Sequence, residues 1–520
     1  MTARTLYLLL AAILVLAPSL VRAQQPNVIL IYADDLGRGL LGTYGQSIIT
    51  TPHIDRLARE GMRFERAYGA TYCAPARMSL LTGRHDVRNL PWQRVTKAGI
   101  YKELDRTLSL DQIVERVEAT VAPAPAGEVF LGQVAHRAGY VTAQFGKLEW
   151  GFATTPTRLK RHGWDHHFGY YDHERCHGFY PPFLFENGRK VEIPGNTHVD
   201  CAKTRESNSP EAYRDRWDMT GKAVYSEHII MDKMLGFLDE HHPQKTGKPF
   251  FVFFPTQLPH GPIMVPAVHP DFRDHPGLTE LEKEYASMVK MLDDDVGRIY
   301  QKLEEMGELD NTILVFTSDN GHEIYYAAEG RTSKGKTDLD GNRFDQVKTR
   351  FTTAAVGDVF DGNDGMSGHK RSNWEGGTRV PLFWYWKGHI APNSVSEQMV
   401  SNYDFLNTLA EIIGQPPVDN KDGVSYAGTL FGRESAHREY TVTSSMMGPA
   451  IVTYEGWKLR YVRAQDLYQL YYLPDDYTEQ HDLAGTQERR VAELKAILLD
   501  ECGGDLTNGL GPEQLPRSSR

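Results

Sequence analysis

The chain has 520 residues, of which 40% are apolar and 24% charged, a balance that suits a soluble globular protein with a sizeable buried core. Its formal net charge of -11 argues against nucleic acid as a partner, and four cysteines are too few for a disulfide scaffold. An anionic ligand would meet a repelling overall field, so a local cluster of cations has to reverse the potential inside a cleft.

Met1 to Ala23 carries Arg4, the apolar run Leu6 to Leu16 and a small-residue site at Val21-Arg22-Ala23. This pattern predicts a secretory signal peptide and an exported product, periplasmic or secreted, with no membrane span after cleavage. The chain then opens with Asn27-Val28-Ile29-Leu30-Ile31-Tyr32, a strand of the kind covered on both faces, ending at Ala33-Asp34-Asp35. Taken alone, two carboxylates before Leu36-Gly37 read better as a solvated turn than as a hard-cation site. A helical pattern runs from Thr51-Pro52 to Gly61. Next comes Cys73-Ala74-Pro75-Ala76-Arg77, followed by an apolar run closed by Thr82-Gly83. Pro75 near the first turn and Gly83 at the end predict a helix with Cys73 at its N-terminus. Free N–H groups there suit an oxyanion, and Arg77 adds a cation one turn along. The plainer reading is a buried structural cysteine beside a helix cap.

Helical stretches follow after Leu108 and from Val129 to Ala138, separated by the Ala/Pro-rich loop Ala122 to Ala126. A strand Val141 to Phe145 ends at Gly146-Lys147. Gly163 to Pro182 is crowded with His166, His167, His173, Arg175, His177 and aromatics, and is expected to be an irregular loop lining a pocket for a sugar or aryl ligand. A helix from Tyr225 to Leu238 precedes the strand Phe250 to Phe254, which leads to Leu258-Pro259-His260. A long helix, Leu281 to Met306, leads to the strand Asn311 to Thr317, which delivers Ser318-Asp319-Asn320-Gly321-His322. Residues 329–367 form a polar insertion before Gly368-His369-Lys370. A helix near Tyr403 to Ile413, short strands beyond His437 and a final helix Val491 to Leu499 complete the chain.

Alternating strands and helices predict an α/β fold: a mostly parallel mixed sheet flanked by helices, spanning 24–436, with a small C-terminal α+β subdomain on an antiparallel sheet at 437–520. Four strands end at Asp34-Asp35, Lys147, His260 and Asp319-Asn320, and open α/β sheets bind ligands outside their carboxyl ends. One crevice collects all of them.

From Cys73 to Gly83 the chain resembles the sulfatase signature C-x-P-x-R-x-x-x-x-T-G, and the resemblance extends from about Asn27 to Ala484. It implies a formylglycine-dependent, arylsulfatase-like enzyme with the alkaline-phosphatase-like fold, in which Cys73 is oxidised to formylglycine by a maturation enzyme. It further implies that Asp34, Asp35, Asp319 and Asn320, with the modified Cys73, bind Ca²⁺ or Mg²⁺, in keeping with all-oxygen ligation. Arg77, Lys147, His260 and Lys370 are the implied sulfate-binding and catalytic residues. The hydrated aldehyde would attack sulfur, and His260 or Lys370 would protonate the leaving oxygen.

One departure stands out. Where many sulfatases have G-K-W-H, this chain reads Gly146-Lys147-Leu148-Glu149. Glu149 either accepts a proton in place of the imidazole or faces away, leaving that role to His322 or the metal. Glu149, Arg175, His177, His322 and His369 are the candidate substrate contacts, for a sulfate ester carried on an oligosaccharide or a small molecule. Two other readings are a phosphomonoesterase or phosphonate hydrolase of the same superfamily, and a non-catalytic binder of sulfated glycans with an unmodified Cys73.

Overall fold

The computed structural model describes residues 25–88, 90–93, 108–149, 153–203, 210–326 and 349–507. The expected signal peptide and residues 327–348 of the polar insertion lie outside them. Sixteen strands are described: β1 (Asn27–Ala33), β2 (Met62–Phe64), β3 (Ala67–Tyr68), β4 (Val141–Gly146), β5 (His166–Gly169), β6 (Phe183–Glu186), β7 (Arg189–Glu192), β8 (Phe250–Pro255), β9 (Thr312–Ser318), β10 (Leu382–Tyr385), β11 (Ser394–Ser396), β12 (Val400–Ser401), β13 (Tyr440–Thr443), β14 (Ala450–Thr453), β15 (Trp457–Val462) and β16 (Leu467–Tyr472).

Ten of them form one sheet in the order β11-β2-β10-β9-β1-β8-β4-β5-β6-β7. Its middle, β9-β1-β8-β4-β5, is wholly parallel, whereas β10, β6 and β7 run against their neighbours. The apolar runs explain the middle. In β1, Ile29, Ile31 and Ala33 point into one core and Val28, Leu30 and Tyr32 into the other, the period-two alternation of a strand buried on both sides. The long helix Glu280–Met306 and Ser226–Glu240 cover the first face, while Leu131–Arg137 and Phe405–Ile412 cover the second. Among the described residues no helix is long and apolar enough to cross a membrane.

The segment expected to be an irregular loop contains β5. Four residues of strand, bounded by Gly163 and Gly169, pair with β4 and extend the main sheet toward β6 and β7. Within it only Arg175–His177 forms a short helical turn.

The antiparallel sheet β13-β14-β15-β16 carries the helix Glu488–Glu501 on one face, where Ile451, Leu459 and Leu470 meet Leu494 and Leu498. Its other face packs on the main body through Trp374, Tyr68 and Met399. A buried ion pair reinforces this junction. Arg438, just ahead of β13, donates from Nε to Asp404 Oδ2 (2.9 Å) and from Nη2 to Oδ1, and Asp404 also accepts from the Ser401 and Val424 amides (2.7 and 2.8 Å). Removing one partner strands a buried charge, at a cost of about 3–5 kcal/mol. Asp404→Ala is therefore expected to lose about that much stability in urea unfolding, whereas a loss below about 1 kcal/mol would show that water or another group takes over the guanidinium.

Candidate active site

β1 and β9 are adjacent and parallel, with Ala33 level with Ser318, so the residues after each strand emerge side by side. Asp35 adopts a left-handed backbone (φ 64), which aspartate tolerates better than most residues, and its N–H donates to Asp319 Oδ1 (3.0 Å). Asn320 Nδ2 donates to Asp35 Oδ1 (2.7 Å). Behind this turn Gly321 lies so close to the 376–377 backbone that an added Cβ would stand 1.8 Å from Gly376 O. Only glycine permits that approach, which brings the loop carrying Lys370 over the crevice, with the Lys370 amide on His322 O (2.9 Å).

The other predicted groups converge here. Cys73 is the first residue of the helix Cys73–Thr82, which is buried along its whole length and closed by Gly83 at φ 67. Arg77 Nη2 reaches Asp34 Oδ2 (3.3 Å), and its Nε stands 3.9 Å from Asp319 Oδ2. Lys147, just past β4, donates to Asp34 Oδ2. Lys370 Nζ donates to Asp35 Oδ2 (2.7 Å) and to His260 Nε2 (2.9 Å), and Tyr325 OH donates to Asp35. Tyr325 carries no recognisable motif, and its part in the cluster was not foreseen.

Three acids buried together set the electrostatics. Burial, then Asp34 and Asp35, raises the Asp319 pKa well above the usual carboxylate value. Burial also opposes ionisation of Asp34, but Lys147 overrides it and holds that pKa at about 2. Asp34 Oδ1, Asp319 Oδ2 and Asn320 Oδ1 are buried without hydrogen-bond partners. Ligand atoms of Asp34, Asp319 and Cys73 lie within 4.8 Å of one another. Partnerless oxygens beside mutually repelling carboxylates fit a hard divalent cation, whose charge would let Asp319 ionise beside its neighbours.

The five candidate substrate contacts fare differently. Glu149 faces away from the role of the missing imidazole: its carboxylate accepts from Thr154 (2.8 Å) and lies 2.8 Å from His162 Nδ1. His322 is fully buried, with Nδ1 bonded to Tyr285 OH (3.1 Å) and Nε2 to Tyr326 OH (2.8 Å), so neither ring nitrogen is left for a substrate. His369 is likewise buried, its Nδ1 3.1 Å from Glu323. Arg175 lies over the Phe183 ring (4.2 Å) and helps line a cavity of about 440 Å³ with Lys203 and Asp200. Only His177 reaches the centre. It stacks on His260 with ring centroids 4.2 Å apart, and ring nitrogens of His177 and His173 lie within 4.8 Å of Cys73 Sγ and of one another. Burial, then Lys147, pushes the pKa of both imidazoles well below the usual histidine value, which keeps them neutral.

Comparison with known proteins gives the family and the fold. The family model described as Sulfatase matches residues 26–415. The human N-acetylgalactosamine-6-sulfatase is 30% identical over 424 residues, covering 78% of this chain and 66% of that protein, so the match leaves about a third of the relative's length unspanned. An N-acetylgalactosamine-6-O-sulfatase of Bacteroides thetaiotaomicron is 28% identical over 92% of this chain and 93% of its own. Among solved structures, a complex of Ps i-CgsB with k-i-k-neocarrahexaose superposes with a TM-score of 0.69 at 22% identity, covering 95% of this chain and 98% of that one. A complex with the substrate D-glucosamine-2-N,6-O-disulfate gives 0.62 at 18%, covering 93% and 99%. At such identities these two likenesses speak for the fold. The family model covers most of the chain, and the chain belongs to the sulfatase family.

Proposed function

We propose that this protein is an exported sulfuric ester hydrolase acting on a sulfated carbohydrate, with residues 24–436 as its catalytic unit and 437–520 as an appended subdomain. The observation that carries this is the surround of Cys73: a helix N-terminus, the cations Arg77, Lys147 and Lys370, the imidazoles of His260, His173 and His177, and the three partnerless oxygens of Asp34, Asp319 and Asn320. Such a site holds a tetrahedral dianion and a hard cation together. Relatives named for the 6-sulfate of N-acetylgalactosamine make sulfated amino sugars the first substrates to test.

Oxidised to formylglycine and hydrated, Cys73 would offer one hydroxyl to attack sulfur and a second to expel sulfate, with the cation, Ca²⁺ or Mg²⁺, favouring the deprotonated form. Asp34, Asp35, Asp319 and Asn320 would hold that cation. Lys147 and Arg77 neutralise the sulfuryl oxygens, whose charge grows as the ester bond breaks. The proton for the leaving sugar oxygen comes from the His260–Lys370 pair, bonded at 2.9 Å. With Glu149 turned to His162, the imidazoles placed to hold a proton beside Cys73 are His173 and His177. The Met1–Ala23 leader supports export and hence a substrate met outside the cytoplasm.

Three outcomes are expected. Protein from its native host should carry an aldehyde at Cys73 by peptide mass, and should cleave sulfated amino sugars but not the phosphate esters of the same alcohols. Turnover by Cys73→Ala, or equal turnover of both ester types, would overturn the assignment. Calcium at about 100-fold its dissociation constant should stabilise the fold by about 2.7 kcal/mol in thermal melts. Asp319→Ala should abolish that gain, and an undiminished gain would place the ion elsewhere. Finally, Lys147→Ala is expected to lower kcat by roughly 10²–10³-fold, the usual effect of losing one preorganised cation or donor at a developing charge. A change confined to KM would make Lys147 a ground-state contact only.

A further inference from the structure

Cys73 belongs to two different donor sets. One is hard: carboxylate oxygens of Asp34 and Asp319. The other is soft: the thiol with one ring nitrogen each from His173 and His177, all within 4.8 Å of one another. The two imidazoles meet edge to face, centroids 4.4 Å apart at 86°, so their lone pairs need not point the same way. His177 Nε2 is buried with no hydrogen-bond partner. One sulfur and two imidazole nitrogens are a donor set for zinc or a similar borderline ion, and would serve calcium poorly.

We propose that the thiol form of this protein, before Cys73 is oxidised, binds a zinc-like ion through Cys73 Sγ, His173 and His177, beside the oxygen site and separate from it. A tetrahedral zinc places such donors about 3.5 Å apart, given metal–ligand bonds of about 2.0–2.3 Å. The donors now lie within 4.8 Å of one another, and side-chain rotation on binding would have to bring them to that value. His173 precedes the Arg175–His177 turn and His177 is its last residue, so both lie outside the regular strands. The nearby cations do not forbid the ion, because Lys147 is paired with Asp34 and Lys370 with Asp35. Binding replaces the S–H bond by a metal–sulfur bond and releases one proton to solvent, the fourth position being left to water. Conversion of the thiol to an aldehyde removes the sulfur and with it the site. The unmodified and mature proteins thus differ in which metals they take: the thiol form binds soft and hard ions, the mature form hard ions alone.

Cobalt alone is the probe. Titrated into full-length protein purified with an intact Cys73 thiol, it should give a sulfur-to-cobalt charge-transfer band at one equivalent, and zinc should bleach that band and block the thiol from alkylation. His177→Asn and His173→Asn should each lose the band while keeping the wild-type circular dichroism melt, and Asp319→Asn should retain it. The aldehyde form should show no band. The inference fails if cobalt gives no band with the thiol form, or if the band survives both histidine changes and disappears in Asp319→Asn, which would put the sulfur on the hard site instead.

Discussion

Three carboxylates, those of Asp34, Asp35 and Asp319, are buried without solvent access at the carboxyl ends of two adjacent strands. Burying three acids together is costly, and much of the surrounding structure answers that cost. Lys147 arrives from β4, Lys370 from the loop held against Gly321, and Arg77 from the first turn of the Cys73 helix, each on a carboxylate oxygen. Oxygens of Asp34, Asp319 and Asn320 remain unpartnered, and ligand atoms of the two aspartates lie within 4.8 Å of Cys73 Sγ. A cation would complete the balance beside Cys73.

Parallel strand order makes this convergence possible. Because β9, β1, β8 and β4 are consecutive in the sheet and point the same way, their carboxyl ends form one rim, although they come from positions as far apart as Ala33 and Ser318. The side chains on that rim are held by the sheet rather than by loops, which suits a site whose groups must be preorganised. The loops beyond the rim vary its chemistry. His173 and His177 come from the excursion between β5 and β6, and the stacking of His177 on His260 couples that excursion to the rim.

The parts legible in the sequence were those with strong local signals. Apolar runs located β1, β4, β8 and β9, the Pro75 and Gly83 positions framed the Cys73 helix, and sustained helical periodicity located Glu280–Met306. Short strands escaped. β2, β3 and β12 have two or three residues, too few for alternation to register, and β5, four residues ending at Gly169, lies in a segment that reads as a histidine-rich loop. Side-chain roles were legible only where strand ends fixed them. Whether Glu149 faces the site or His162, thirteen positions away in the chain, depends on packing that no periodicity encodes. The same holds for His322, whose two nitrogens are taken by tyrosines of the long helix and of the segment after β9. Cys176 and Cys201, the pair nearest in sequence among the cysteines left once Cys73 is set apart, are both free and buried.

Cys73 stands on the boundary between the two kinds of surroundings. On its hard side, charge density is high and oxygens of Asp34, Asp319 and Asn320 are without partners; on its soft side, two neutral imidazoles offer nitrogen lone pairs. A thiol there is held protonated chiefly by burial, against the pull of Lys147 and Lys370, so it is a poor nucleophile as it stands. Replacing sulfur by oxygen at this one atom changes both relations at once. The oxygen would suit a hard ion, and the imidazoles would be left as proton acceptors. The same geometry therefore accounts for why the chain carries a cysteine at this position and why the cysteine itself is not suited to do the chemistry.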